Sequence, residues 1–413
     1  MGGRRGRSEW GAVDIAGRRR MVASVTLGTL LTPLNSSMVA VALASLQRDF
    51  AVGVGTVTWL VSGFYLASAI AQPMTGRLAD RLGPRRVFLA GLVLVAAVCA
   101  LAPLAPGFGW LVLVRVIQAC GGSVAFPSGL AMIRASAPGG RAPAASLGAI
   151  NVANSAGAAL GPTLAGFLVA FAGWQAIFLV NVPMAALGVL TGVRWLPHDP
   201  PATPATPARP AAAERPRPNV RALVTNRRLA GIYLQFAGVN LVFYSIFLAL
   251  PLWLQQARGL PPYEAGLLLL PVAGLGMLVA PPAAWSINRS GNRPVLVLGA
   301  AALLAGSLLL LVLGPTTPLW AIAAAGMVFG MPSTMNTLGL QSALYEAAPA
   351  DAMGAAGGLL QTCRYVGAML AGGFIGVVYE RGGTTTASLH VLAGLLVALS
   401  AGLLAAAARR AAA

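Results

Sequence analysis

The chain has 413 residues, of which 57% are apolar and 9% are charged. Soluble domains average about 25% charged residues, so this sequence cannot cover a water-exposed surface and predicts a protein of the lipid bilayer. The formal net charge of +18 does not indicate a nucleic-acid partner, because the basic residues lie between long apolar segments and not along one face.

Twelve predicted transmembrane helices follow a basic tail at residues 1–20. A helical span needs about 20 mostly apolar residues, and clusters of glycine, proline and arginine separate the candidate segments. The predicted spans are 21–46, 56–77, 87–105, 110–133, 144–170, 175–195, 229–254, 264–287, 294–313, 318–342, 355–378 and 385–407. The predicted fold class is all-α, with two six-helix bundles at 21–195 and 229–407 and a short tail at 408–413.

A linker rich in proline and alanine joins the two bundles at residues 196–228. It contains a short PAT-PAT-PAR repeat, and this composition is typical of an extended segment that does not pack. We therefore expect the linker to be a largely disordered connection.

The arginines predict which side of the membrane each loop faces. In the twelve-span arrangement, 23 arginines fall in the tails, the linker and the loops of one side, and three fall on the other side. Because basic loop residues remain in the cytoplasm, we expect a multi-pass protein of a bacterial plasma (inner) membrane with both termini cytoplasmic. The remaining two arginines, Arg115 and Arg364, fall within spans four and eleven.

A short charged segment occurs twice, once in each half of the chain. The first copy, "GRLADRLGPRR" at 76–86, is predicted as the cytoplasmic turn between spans two and three. The second, "AWSINRSGNRP" at 284–294, has the same place between spans eight and nine, with Asn288 where the first copy has Asp80. Matching loops in two six-span halves indicate an internal duplication, which in one large class of transporters gives two pseudo-symmetric parallel repeats.

These features together resemble the major facilitator superfamily, and more narrowly its drug:proton antiporter branch. The charged loop resembles the signature loop of the superfamily. Segments that resemble motifs of the branch are "LNSSMVAVAL" at 34–43, "RVIQACGGSVAFPSG" at 115–129 and "GAALGPTLAG" at 157–166. Members of that branch usually have fourteen helices, whereas this chain has only the linker where two more are usually inserted.

The resemblance implies a cytoplasmic latch at the repeated segment. A carboxylate near a helix N-terminus is stabilised by the helix dipole. Asp80 would therefore face the start of span eleven when the bundles close on the cytoplasmic side, with a weaker second half at Asn288. The alternative is that the arginines of this segment only determine topology. The residues of the latch are Gly76, Asp80, Arg81, Gly83, Arg85, Arg86, Asn288, Arg289, Gly291 and Arg293.

Span five carries glycines at four- and five-residue spacing, and small residues let helix backbones approach closely. The resemblance implies that this motif packs the span against the other half and seals one face, which favours export. Ordinary packing between membrane helices is the alternative. The residues of the motif are Gly157, Gly161, Pro162 and Gly166.

Polar side chains within the spans predict the transport pathway. Such residues are costly in lipid unless they face water or a partner, and together they indicate a polar cavity between the bundles. For each asparagine or glutamine, a hydrogen bond to a neighbouring helix is the alternative. The pathway residues are Asn35, Tyr65, Gln72, Arg115, Gln118, Asn151, Asn154, Asn240, Tyr244, Asn336, Gln341 and Arg364.

All ten carboxylates fall in tails, loops, the linker or span edges. Where the antiporter branch commonly has an aspartate in its first helix, the resemblance places Asn35, which cannot titrate. The candidate proton carriers are therefore His390 and Glu264, with simple packing as the alternative for His390. An arginine without a nearby anion in a low-dielectric cavity repels cations, so Arg115 predicts a neutral or anionic cargo.

The predicted function is secondary active transport that exports small organic compounds, either drugs or metabolites, by alternating access. One alternative is an importer or uniporter of an anion, and another is a membrane receptor or scaffold that transports nothing. We expect neither enzyme activity nor a cofactor, because no catalytic set and no phosphate-binding glycine-rich loop is present. The spacing of the three cysteines predicts no metal site. The expected partners are a small-molecule substrate, the bilayer and, for coupled transport, protons, with the protein acting as a monomer.

Overall fold

The computed structural model describes residues 15–136, 144–199, 220–349 and 352–412. It consists of long α-helices, and these residues include no β-strand. Each predicted span corresponds to one of twelve long helices. The fourth is interrupted at one residue, and the second and sixth are each preceded, after a one-residue break, by a short helix (Val54–Val57 and Ala176–Leu179). The helices are α1 (Ile15–Asp49), α2 (Trp59–Leu82), α3 (Pro84–Leu101), α4 (Phe108–Ser123 and Ala125–Ala135), α5 (Ala144–Ala172), α6 (Asn181–Trp195), α7 (Arg227–Gln256), α8 (Pro262–Ser290), α9 (Arg293–Leu310), α10 (Leu319–Ala347), α11 (Met353–Gly382) and α12 (Thr386–Ala412).

Within the described ranges, eleven helices are long and apolar enough to cross a membrane. The exception is α10, which is continuous but carries a run of polar side chains at Ser333, Thr334, Asn336 and Thr337. Such a helix is tolerated in a membrane bundle when its polar side faces a partner or a cavity. The all-α membrane fold predicted from the sequence is confirmed.

The repeated charged segment differs from its prediction. The sequence predicts a turn over 76–86, but residues up to Leu82 continue α2 and α3 begins at Pro84. Gly83 alone separates the two helices. It has a φ of +93°, and the matching Gly291 has a φ of +77°. Positive φ favours glycine because other residues carry a Cβ atom that clashes there. A glycine with positive φ at both positions is consistent with the internal duplication.

The buried apolar residues show where the bundles are joined. We call the helix ends that lie on the side of the chain termini the inner ends, and the opposite ends the outer ends. The largest cluster contains residues of both bundles near the outer ends, such as Leu43 and Trp253. Two further clusters near the inner ends, around Met21 and around Phe236, each belong to one bundle. The structure is therefore closed at the outer ends, while the bundles have separate cores at the inner ends.

Candidate transport site

Close backbone contact between α5 and α8 forms one part of the outer closure. A Cβ atom on Gly266 would collide with the carbonyl oxygen of Pro162, and one on Gly166 would collide with the backbone of Pro262. The hydroxyl of Thr163 donates a hydrogen bond of 3.1 Å to the carbonyl oxygen of Gly266. Two residues of the span-five motif, Pro162 and Gly166, thus lie against the opposite bundle.

The other two glycines of that motif contact a different helix. A Cβ atom on Gly157 would meet the side chain of Leu30, and one on Gly161 would meet Ser37. Both partners belong to α1 of the same bundle. These two glycines therefore pack α5 within the N-terminal bundle.

A second helix pair, α2 and α11, completes the outer closure. The hydroxyl of Ser62 donates a hydrogen bond of 3.3 Å to the carbonyl oxygen of Met369. Two helical turns along α11, a Cβ atom on Gly376 would meet the backbone of Gly55, in the short helix Val54–Val57 that leads into α2. Access from the outer side is closed along both helix pairs.

A cluster of aromatic and polar side chains lies between the bundles, on the inner side of this closure. Tyr65 of α2 makes an edge contact with Tyr244 of α7, at 5.2 Å between ring centroids. It also stacks on Tyr365 of α11, at 5.6 Å. The side-chain amide of Gln72 donates a hydrogen bond of 2.7 Å to the hydroxyl of Tyr365. Arg364, which is only partly buried, lies close to all three tyrosines and within hydrogen-bonding reach of the Tyr244 hydroxyl. We call these five residues the central cluster.

The central cluster can hold a ligand by two kinds of contact. Tyrosine rings offer flat apolar faces together with hydroxyl groups. The guanidinium group of Arg364 offers up to five hydrogen-bond donors and a positive charge. Because α2 supplies part of the cluster and α7 and α11 supply the rest, a ligand bound there contacts both bundles.

Arg115 lies in a different place from Arg364. It is 1% exposed, and its guanidinium group donates hydrogen bonds to Asn35 Oδ1 (2.8 Å) and to Gln118 Oε1 (2.7 Å). Its Nε atom donates to the carbonyl oxygen of Leu60 at 3.3 Å, and the group stacks over the ring of Phe64 at 4.3 Å. All of these partners belong to the N-terminal bundle and all are uncharged.

Further hydrogen bonds extend this buried network. Asn35 Nδ2 donates to Asn181 Oδ1 (3.2 Å), and Gln118 Nε2 donates to the sulfur of Cys99 (3.0 Å). Asn181 in turn donates to the backbone carbonyl groups of Ile177 and Phe178, in the short helix just before α6. Three predicted pathway residues, Asn35, Arg115 and Gln118, are therefore brought together inside one bundle. Within the described residues, none of the three forms a hydrogen bond to the central cluster, although their network borders it because Phe64 packs edge-on against Tyr65.

The remaining predicted pathway residues are dispersed. Asn240 donates a hydrogen bond to the carbonyl oxygen of Phe236, and Asn336 donates to that of Pro332, so each bonds one turn back on its own helix. Asn336 also packs against Gly299 of α9. Three further polar residues of α5 and α10 are at least partly exposed: Asn151, Asn154 and Gln341.

Neither candidate proton carrier lies in the central cluster. His390 Nε2 is 2.8 Å from the carbonyl oxygen of Leu313, a contact that joins two segments of the C-terminal bundle. Glu264 lies at the outer end of α8, where it accepts a hydrogen bond of 3.2 Å from the hydroxyl of Tyr263. The geometry therefore favours the packing alternative for His390.

The first copy of the repeated segment binds a carboxylate that the sequence analysis assigned to the linker. The backbone N–H groups of Arg85 and Arg86 donate to the two carboxylate oxygens of Asp199, at 2.9 and 3.0 Å. The guanidinium group of Arg85 also donates to the carbonyl oxygen of Val193 at 2.8 Å. Asp199 thus caps the start of α3. The side chains of the predicted latch residues Gly76 and Asp80 lie outside the described part of the structure.

The described ends of the linker are packed, which corrects the expectation that its whole length is extended. Leu196 is 3% exposed, and Leu223 is 4% exposed in the core of the C-terminal bundle. Asn226 caps α7 by accepting hydrogen bonds from two backbone N–H groups. Residues 200–219 lie outside the described part.

Sequence reasoning missed three residues that the structure brings to these sites: Tyr365, Asn181 and Asp199. Tyr365 directly follows the intramembrane Arg364 in the sequence, and this adjacency could have indicated it. Asn181 is the first residue of α6, a helix with few other polar residues. Asp199 lies only a few residues beyond the end of the same helix. The contacts of Asn181 and Asp199 join distant parts of the chain, so no local pattern reveals these two residues.

Comparisons with known proteins agree with this architecture. A family model described as "Major Facilitator Superfamily" matches residues 25–372. The chain is 33% identical to the uncharacterized MFS-type transporter YwoD of Bacillus subtilis, over 93% of this chain and 95% of that protein. It is 28% identical to the tetracenomycin C resistance and export protein of Streptomyces glaucescens, over 86% of this chain and 74% of that protein.

The fold is also similar to a solved structure. The crystal structure of the nucleoside transporter NupG superposes with a TM-score of 0.73 at 17% identity, covering 94% of this chain and 98% of that chain. The family match, the relatives and the twelve-helix architecture lead to one conclusion. The chain belongs to the Major Facilitator Superfamily and is a multi-pass membrane transporter.

Proposed function

We propose that the protein exports small organic compounds that are neutral or anionic, by alternating access around the central cluster. The observation that carries this proposal is the position of Arg364 among three tyrosines drawn from both bundles. A ligand held there touches both halves. Rocking of one bundle against the other would therefore transfer its access from one side of the membrane to the other.

The chemistry of the cluster supports this choice of cargo. All ten carboxylates of the chain lie outside the middle of the spans, so no fixed acid there offsets Arg364 or attracts a cation. A guanidinium group binds carboxylates and other oxygen anions well, and the tyrosine rings suit a flat apolar part of the cargo. From the sequence, we argued that Arg115 repels cations and so favours a neutral or anionic cargo. We now apply this argument to Arg364.

The direction of transport is inferred from the relatives and from the closure. The tetracenomycin C relative is a resistance and export protein, which supports export here. If the arginine-rich side is cytoplasmic, the termini lie inside a bacterial plasma membrane and the outer closure leaves the cytoplasmic side to receive cargo. We therefore infer that the described conformation is the loading state of an exporter that acts as a monomer.

In this proposal, the latch forms in the opposite conformation, in which the cytoplasmic side is closed. When the bundles meet at their inner ends, Asp80 would face the N-terminus of α11 and hold the cytoplasmic side closed. We expect Asp80→Asn to lower transport at least several-fold while leaving expression intact, and Asn288→Asp to have a milder effect. Normal transport by Asp80→Asn would mean that the repeated segment acts only on topology.

Reconstituted vesicles test the central proposal. Uptake into inside-out vesicles is compared for a fluorescent aromatic carboxylate and for ethidium, with and without a pH gradient. We expect movement of the carboxylate, abolished by Arg364→Gln and partly retained by Arg364→Lys. Arg381→Gln is the matched control, since Arg381 is exposed at the outer end of the same helix.

Each other result of this experiment has a definite meaning. Transport of ethidium that Arg364→Gln leaves undiminished would refute the proposed cargo class. Accumulation of the carboxylate only in right-side-out vesicles would indicate import. Binding without any movement would favour a receptor or scaffold. A dependence on the pH gradient would show coupling to protons, which would then be tested at Glu264 and His390.

A further inference from the structure

The outer end of α11 places a carboxylate against the opposite bundle. Glu380 belongs to the last turn of α11, in the C-terminal bundle. A Cβ atom on Gly55 would lie 2.7 Å from Glu380 Oε1 and 3.1 Å from Oε2, and one on Gly53 would lie 3.0 Å from Oε1. The three atoms nearest to each of these positions all belong to Glu380. The carboxylate therefore occupies space that side chains at Gly53 and Gly55 would fill.

These two glycines lie where the second membrane span begins. Gly53 directly precedes the short helix Val54–Val57, and Gly55 lies in its first turn. Thr58, which separates this helix from α2, is itself in the helical conformation, and its backbone N–H donates to the carbonyl oxygen of Val54. The short helix and α2 thus form one continuous span. The free N–H groups at the start of a helix carry partial positive charge, which favours a carboxylate nearby.

The loop that carries this helix start is fixed to the N-terminal bundle. The ring of Phe50 contacts Trp174, at 5.4 Å between ring centroids, and Phe108, at 6.0 Å. The next residue, Ala51, has a φ of +50°, a left-handed conformation that residues other than glycine rarely adopt. Because the loop moves with its own bundle, separation of the bundles at their outer ends would draw Glu380 away from both glycines.

We propose that Glu380 is an outer latch, whose carboxylate at the start of the second span stabilises the outer-closed conformation and is released when the outer side opens. This contact is the counterpart of the proposed inner latch, in which Asp80 near the end of α2 faces the start of α11. In each conformation, the end of one helix of this pair then holds the start of the other. The proposal rests on alternating access, but it does not depend on the class of cargo.

The rate at which a buried cysteine reacts from outside tests the proposal. Ser36→Cys places a thiol beside Tyr65 of the central cluster, behind the outer closure. Cys120 and Cys363 are replaced by alanine, whereas Cys99 is buried and remains. The full-length protein in right-side-out vesicles is treated with a membrane-impermeant maleimide at low concentration. Under this condition, the labelling rate is proportional to the outer-open population.

Glu380→Gln preserves the size of the side chain and removes its charge. We expect the labelling rate to rise about two- to fivefold, as an interaction between a surface carboxylate and a helix start predicts. Arg381→Gln is the matched control, because Arg381 is the next residue of α11 and is also exposed. Its rate should equal that of the parent protein. A Glu380→Gln rate no higher than that of the parent, or an equal rise in Arg381→Gln, would overturn the proposal.

A double-mutant comparison tests the contact itself. Gly55→Ala places a methyl group where the carboxylate lies, so it should also raise the labelling rate. In a Glu380→Ala protein the methyl group has room, and Gly55→Ala should cause no further rise. An equal rise with and without the Glu380 side chain would show that the two residues act independently and would refute the latch. Labelling requires no cargo, so an error in the proposed cargo class would leave these results unchanged.

Discussion

Replacing Arg115 by methionine should destabilise the N-terminal bundle before it affects cargo recognition. The side chain is 1% exposed and bonds to Asn35, Gln118 and the carbonyl oxygen of Leu60. Methionine fills part of the volume but donates no hydrogen bond. The amide oxygens of Asn35 and Gln118 then lose a strong charged partner inside the bundle.

The size of this effect follows from the contacts. Leaving a buried acceptor without a donor destabilises a protein by about 1–3 kcal/mol, and two amide oxygens are affected. Loss of the stacking of Arg115 on Phe64 adds about 0.5–2 kcal/mol. Relief of the desolvation of the buried guanidinium group opposes these losses by about 1–4 kcal/mol, so it offsets only part of them. We expect a net destabilisation of about 3 kcal/mol, which lowers the Tm of a bundle of this size by about 6–12 °C.

Thermal unfolding of the purified protein in detergent, followed by tryptophan fluorescence, measures this shift. Arg364→Met is the control, because Arg364 is only partly buried and its loss should change the Tm far less. The double variant Gln118→Leu with Arg115→Met should recover part of the lost stability, since removing both partners of a buried bond is less harmful than removing one, and Gln118 otherwise donates only to the weakly accepting sulfur of Cys99. An Arg115→Met protein with normal Tm but no substrate binding would refute this reasoning and return Arg115 to the transport pathway.

Three further predictions concern individual contacts. Asp199→Ala should speed hydrogen exchange at the backbone N–H groups of Arg85 and Arg86, which donate to the Asp199 carboxylate at the start of α3. Unchanged protection of these groups would show that the cap is dispensable. Gly266→Leu should prevent the close approach of α8 to Pro162 of α5. Cysteines introduced on the inner side of the outer closure should then react with thiol reagents added from outside. Unchanged labelling would show that this contact does not close the outer side. Tyr365→Phe should lose the hydrogen bond from Gln72 and weaken binding of the aromatic carboxylate about three- to tenfold by equilibrium titration, and unaltered affinity would remove that hydroxyl from the site.

The fold could be predicted from the sequence because hydropathy and charge act locally. Twenty apolar residues between charged loops specify a membrane helix whatever its neighbours are. The same reasoning failed at residues 76–86, where the α2 helix continues through its charged residues to Leu82. Charge marks where a helix leaves the hydrocarbon, but the helix ends only where its backbone must turn, which here is at Gly83.

The site could be predicted only in part, because polar residues in membrane helices have two uses. Tyr65 and Tyr244 face the other bundle, whereas Asn240 and Asn336 bond to carbonyl groups of their own helices. Both uses satisfy the same requirement, that a polar group in lipid must have a partner. Position in the sequence gives the depth of each residue, but the direction of its side chain depends on how the bundles pack.

The two intramembrane arginines show this ambiguity most clearly, and they also show how it is resolved. Each is a single positive charge within a predicted span, and from the sequence Arg115 had the stronger association with the cargo. In the structure, uncharged groups of one bundle surround Arg115 and accept three hydrogen bonds from it. Arg364 lies partly exposed among tyrosines of both bundles. An arginine whose donors are already occupied in its own bundle stabilises that bundle. One at the boundary between two bundles, close to tyrosines of both, has interactions that must change when the bundles rock. The binding role therefore falls to Arg364.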